Sequence, residues 1–146
     1  MIIKLDDAVG FILTKTLRNL NLLFNQEFSP SGITSEQWCL VKRLDEQDGI
    51  SIKELTLGVG KDQANVTRIL AILEQRGFVQ RSPHPNDGRS SLVYLTGAGK
   101  ELAARLNPID ERIQAIAVDG LSEEEVQFLR RTLAKLSHNA DKHLKR

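Results

Sequence analysis

A mainly α-helical chain with one small β-hairpin is what this sequence predicts, on three observations. Apolar residues recur every three or four positions through most of its length, and the recurrence shortens to two between residues 78 and 95. Pairs of the form S/T-x-x-E/Q stand where helices would begin, the spacing at which a hydroxyl and a carboxylate or amide satisfy each other's free backbone N–H groups.

Each element follows in order. Val9, Ile12, Leu13, Leu17, Leu20, Leu23, Phe24 and Phe28 paint one face of a long helix from Asp6 to Phe28, ended by Ser29, Pro30, Ser31 and Gly32. Thr34 with Gln37 caps a second helix over 35–45, whose buried side is Trp38, Val41 and Leu44. After a turn at Gln47, Asp48 and Gly49, Ser51 with Glu54 starts a short third helix, which Gly58 and Gly60 stop. Asp62 caps a fourth, with Val66, Ile69, Leu70 and Leu73 inward, ending at Gly77.

Residues 78–82 and 91–95 then read as strands, joined by a long polar tip from Pro83 to Ser90. Thr96 caps a helix from Gly97, with Leu102, Leu106, Ile109, Ile113 and Ile116 in seam spacing. Pro108 falls inside it, where the lost hydrogen bond and the ring's clash predict a kink or break. Ser122 with Glu125 opens a final helix to near Leu144, with Val126, Leu129, Leu133 and Leu136 on its apolar side.

Composition narrows the function. A chain of 146 residues buries a core without disulfides or a structural metal. The single Cys39 forms no internal bridge, and no charged stretch, apolar core and cleavage site opens the sequence at Met1, which predicts a reducing, cytoplasmic location. No apolar run approaches the length of a membrane span, so no membrane partner is expected. Net charge is +1, but it is unevenly placed. Residues 1–60 carry 6 basic and 8 acidic groups, net −2; residues 61–96 carry 5 and 3, net +2; residues 97–146 carry 9 and 8, net +1. The positive middle permits nucleic-acid binding without implying it.

The order helix, helix, recognition helix, strand, wing, strand is that of a winged helix-turn-helix, and it carries more information than any one element. The expected layout is one compact domain in three parts: an N-terminal dimerisation helix (1–30), a winged helix-turn-helix core (31–96) and C-terminal dimerisation helices (97–146). Apolar content in the terminal parts exceeds what the core can cover, and a second copy of the chain is the simplest partner.

The stretch Leu73-Glu74-Gln75-Arg76-Gly77-Phe78-Val79-Gln80-Arg81, then Asp87-Gly88-Arg89, then Val93-Tyr94-Leu95-Thr96, resembles the signature of the MarR family of regulators. The resemblance spans essentially the whole chain, and the wing, D-x-R followed by V-x-L-T, is its specific part. It implies a two-fold homodimer on a palindromic operator in duplex DNA, a repressor released by a small-molecule effector. Members commonly carry two adjacent arginines after the wing aspartate; Gly88 stands at the first of those positions here, which removes one phosphate contact and loosens the tip.

Gln63, Asn65, Thr67 and Arg68 lie in the N-terminal half of the recognition helix, where side chains meet base edges. Glutamine and asparagine pair with adenine and arginine with guanine, each good bidentate contact being worth about 1–3 kcal/mol of discrimination. Read without the fold, these are ordinary solvated helix residues. Arg89 on the hairpin tip suits the strongly negative minor groove, and Asp87 is read as the carboxylate that orients it, against a plain solvated loop pair. Ser51, Lys53, Lys61 and Arg81 are candidates for phosphate, with Ser51 and Asp62 serving first as caps.

An effector pocket of the family type would draw on Arg18, Asn25, Phe28 and Trp38, the last two of which also suit a simple core. Cys39 reads as a buried thiol in preference to a redox sensor. His84 lies in the wing, and His138 and His143, five residues apart, point to different sides of a helix, so no metal site or other cofactor is expected. No enzyme is expected either: Gly58-Val59-Gly60 approaches a dinucleotide-binding turn but Gln63 occupies its third glycine position. The alternative is a winged-helix module for protein contact without specific duplex binding, which would present an apolar face on the fourth helix.

Overall fold

Reciprocal caps start three of the helices. Thr34 with Gln37, Ser51 with Glu54 and Ser122 with Glu125 each form a complete capping box. The computed structural model describes residues 1–145, with the side chains of Asp87 and Arg89 outside the described set. The elements are α1 (Val9–Phe28), α2 (Ser35–Glu46), β1 (Ile50–Ser51), α3 (Ile52–Val59), α4 (Gln63–Gln75), β2 (Val79–His84), β3 (Asp87–Leu95), α5 (Gly97–Ala117) and α6 (Glu123–Lys142). They fall into two compact units, residues 1–113 and 114–146.

In the first unit Phe28, Trp38, Leu40, Val41, Leu44, Leu55, Val66, Ile69, Leu70 and Leu73 are buried in one cluster with Val79, Val93, Leu95, Leu102 and Leu106. Each large apolar side chain so buried contributes about 1.5–3 kcal/mol relative to exposure. Four of them, Val66, Ile69, Leu70 and Leu73, lie on one side of α4, so packing fixes that helix's rotation and turns its remaining face to solvent. Gly77, at φ 82, makes the left-handed step from α4 into the hairpin, a conformation that suits a residue without Cβ.

The sheet is three-stranded and antiparallel, in the order β1-β3-β2. β1 is absent from the sequence-based expectation: it pairs Ile50 with Val93 and Ser51 with Leu92. The hairpin is also longer than expected. Its strands run to His84 and from Asp87, so the tip shortens to Pro85 and Asn86, with an irregular register between Pro83 and His84. Pro83 is accommodated because β2 is an edge strand.

Three further expectations are corrected. Gly58 lies inside α3, where its carbonyl accepts a bond from Arg43 Nε at 3.0 Å; Gly60, at φ 65, ends the helix. α5 runs unbroken through Pro108. Both Pro108 and Ala104, whose carbonyl loses its helical donor, are exposed, a setting in which the lost bond costs little. α1 begins at Val9 after a separate 3-10 turn at Leu5–Asp7, rather than at Asp6.

The second unit holds the end of α5, a turn with Gly120 at φ 82, and α6. On α6 Val126, Leu133 and Leu136 are half-buried, while Phe128 and Leu129 are exposed.

Candidate nucleic-acid interface

The start of α4 is built around Asp62. Its Oδ1 accepts the Asn65 backbone N–H at 2.9 Å, and its Oδ2 accepts from Asn65 Nδ2 at 2.7 Å. The bond from the Asn65 backbone N–H leads the effects that hold the Asp62 carboxyl below the usual aspartate range. Gln63, Asn65, Thr67 and Arg68 are all exposed on this first part of the helix. They spread over the arc of the helix left outside the core, with Arg68 near its middle and Gln63 and Asn65 towards its two flanks, and Asn65 gives its amide to the cap. Arg68 is engaged as well: its Nη2 lies 3.3 Å from Glu36 Oε2 at the start of α2.

The expected phosphate ligands differ in surroundings. Ser51 caps α3 by accepting the Glu54 backbone N–H at 3.1 Å, Lys53 is exposed, and Lys61 is half-buried just before α4. Arg81 is paired through Nε with Glu74 Oε2 at 3.1 Å, a carboxylate seven residues earlier. The wing residues Asp87 and Arg89 fall where only the backbone is described: Asp87 pairs with His84 at the base of the tip, and both side chains lie outside the described residues.

Three residues that local sequence reading passes over shape this surface. Glu36 and Glu74 hold Arg68 and Arg81. Arg76 donates through Nη1 to the Gly32 carbonyl at 2.6 Å and to Gln37 Oε1 at 3.3 Å, while its guanidinium lies 5.2 Å from the Phe78 ring centroid. That contact ties the C-terminal end of α4 to the entry of α2. Glu36 and Arg68 are 32 positions apart and Arg76 and Gly32 are 44 apart, so no local pattern announces either pair.

The residues expected around an effector do not converge. Phe28 and Trp38 are core, at 0% and 4% exposure, with their rings 5.6 Å apart, and Arg18 is exposed on α1. Asn25 alone of the four lines a cleft of about 460 Å³ between α1, α2 and α4, which also takes in Asn21, Gln37 and Arg68. Asn25 Oδ1 accepts the Ser35 backbone N–H there at 2.9 Å. Cys39 is half-buried beside the core, and burial raises its thiol above the usual range, partly offset by Lys61 and Arg43. Among the described residues no group of three histidine, cysteine or acidic side chains is placed to hold a metal ion. No helix among them is long and apolar enough to cross a membrane.

Residues 33–91 match the model of the MarR family, a span that runs from the entry of α2 into β3. A probable transcriptional regulator from Pseudomonas aeruginosa is 33% identical, with 91% of this chain and 99% of that one covered and a TM-score of 0.81. A mutant MarR from E. coli, solved in complex with operator DNA, is 27% identical over 88% of this chain and 92% of its own, with a TM-score of 0.81. BpsR of Bordetella bronchiseptica, whose structure addresses regulation of its DNA binding by 6-hydroxynicotinic acid, is 26% identical over 94% and 98%, with a TM-score of 0.87. With the three-stranded sheet, the polar face of α4 and these likenesses together, the chain belongs to the MarR family of DNA-binding transcriptional regulators.

Proposed function

We propose that the protein is a homodimeric, cytoplasmic repressor that sits on a palindromic operator and leaves it when a small ligand binds. The observation that carries the reading is the exposed set Gln63, Asn65, Thr67 and Arg68 on a helix whose opposite side is locked into the core. Such a helix presents base-reading side chains in a fixed orientation, which major-groove recognition requires. The positively charged wing residue Arg89, oriented by Asp87, is assigned to the minor groove, and Ser51, Lys53, Lys61 and Arg81 to phosphate.

Dimerisation is supported by apolar residues left in solvent. Val9, Ile12, Leu13 and Leu17 on α1 are 40–57% exposed, and Phe128 and Leu129 on α6 are exposed too, more than a single soluble chain ordinarily leaves uncovered. Segments 1–30 and 97–146 are accordingly assigned to the dimer and 31–96 to DNA. Regulation of BpsR DNA binding by 6-hydroxynicotinic acid supports a small-molecule effector here, with the Asn25 cleft as one candidate for its seat.

The test is a footprint of the purified protein on duplex from immediately upstream of its own gene, repeated with Arg89→Ala and at raised salt. A two-fold symmetric footprint that weakens with salt and with the substitution supports the reading. Binding no tighter than to scrambled duplex, there and across a genomic fragment library, rejects it in favour of a protein-contact module.

A further inference from the structure

Glu36 poses a question that its surroundings answer. It stands in the first turn of α2, exposed, beside the residues assigned to DNA, where a carboxylate repels phosphate. Its carboxylate pairs with Arg68, at 3.3 Å, with the two side chains 53% and 56% exposed. A pair so open to water adds little to folding stability. What it does change is the conformational freedom of the arginine, a long side chain with many rotamers that must adopt one of them to meet a base.

The pairing uses Nη2 of Arg68. Nη2 carries two N–H groups, and the one not turned to Glu36 runs parallel to an N–H of Nε or of Nη1, a fork suited to the paired acceptors O6 and N7 of guanine. α2 and α4 are both anchored by buried side chains, Leu40, Val41 and Leu44 on one and Val66, Ile69, Leu70 and Leu73 on the other, so the carboxylate is held on a support that does not move with the arginine. Arg76, bonded to Gly32 and Gln37, ties the C-terminal end of α4 to the same entry of α2.

We propose that Glu36 is a positioning residue for Arg68: it orders the guanidinium before DNA arrives, so that base selection by the recognition helix depends on a carboxylate outside that helix. The inference rests on Arg68 reading a base, as assigned above.

The experiment measures equilibrium binding to the native operator and to duplexes substituted at each position of a half-site, for the full-length protein and for Arg68→Ala, Glu36→Ala, Glu36→Gln and the Glu36→Ala/Arg68→Ala double variant. Arg68→Ala is expected to lower preference at one or two positions by about 5- to 150-fold, the span of one bidentate contact. Glu36→Ala is expected to lower preference at those same positions by about two- to fivefold, the scale of an exposed pair, with Glu36→Gln between it and the native protein. In the Arg68→Ala background the Glu36 change is expected to have no further effect on preference. If removing the carboxylate tightens binding to every duplex alike and leaves the preference unchanged, Glu36 is only a repulsive charge and the proposal fails. If Arg68→Ala itself changes no preference, the base-reading assignment fails first and takes the proposal with it.

Discussion

The backbone N–H of Leu95 donates to Asp48 Oδ1 at 2.9 Å, joining the last residue of the hairpin to the turn that follows α2. The adjacent Gly49 N–H donates to the Val93 carbonyl at 3.0 Å, so the turn and the base of the wing are bonded side by side. The wing's attachment thus depends on a carboxylate 47 positions away from its partner.

Replacing that carboxylate has a defined cost. Asp48→Ala is expected to destabilise the protein by about 1.5–3 kcal/mol, the range for a hydrogen bond to a charged group. Asp48→Asn, which keeps an acceptor oxygen, should lose less. Urea unfolding of the three proteins checks the order; equal midpoints for the native protein and Asp48→Ala would remove the bond's structural role.

Gly97 and Gly99 stand two residues apart at the start of α5 and should respond oppositely to alanine. A Cβ at Gly99 would lie 2.2 Å from the Phe78 carbonyl oxygen, a backbone atom that moves only with the strand, whereas one at Gly97 meets nothing within 4 Å. Gly99→Ala is expected to cost about 1–3 kcal/mol by overpacking. Gly97→Ala is expected to be neutral or to stabilise by up to about 1 kcal/mol through the unfolded chain. Thermal melts of the pair decide it, and a Gly99→Ala protein as stable as the native one would count against the close approach.

Asp62 makes the recognition helix sensitive to acid. The Asn65 backbone N–H favours its ionised form in the folded state, so its folded pKa lies below the unfolded one. The stabilisation is therefore complete above the ordinary aspartate range and is lost as pH falls through the lowered folded value. Asp62→Asn retains a cap that does not titrate. Amide exchange in the first turn of α4, followed from neutral pH into acid, should show protection falling in the native protein more steeply than in the variant; parallel profiles would refute the assignment.

Much of the helical framework was legible because its signals are local. Thr34 with Gln37, Ser51 with Glu54 and Ser122 with Glu125 are three-residue relationships, and all three form as read. Asp62 as a cap and Gly77 as a left-handed step belong to the same class. β1 escaped notice because two residues carry no period, and its existence depends on β3 being there to pair with. The length of the wing is not legible locally because Pro83 and the polar run to Ser90 look like loop, yet ladder pairing with the opposite strand overrides that local preference. Pro108 predicts a kink or break, and α5 does not break there because the proline's exposure, which makes the lost bond tolerable, is a property of the fold. Of the set proposed to face DNA, the exposure on α4 is legible in the sequence and the partners are not: Glu36 reaches Arg68 only after α2 and α4 have packed.

Pro83 in β2 has a consequence for the protein in a crowded solution. β2 is the outer strand of the wing side of the sheet, and an outer strand ordinarily offers a row of N–H and C=O groups onto which another chain can add. Proline contributes no N–H to that row, and its ring obstructs a strand approaching alongside. Interrupted in this way, a hairpin that must project into solvent to be useful is a poor template for aggregation, and molecules gathered at high local density are protected from joining sheet to sheet.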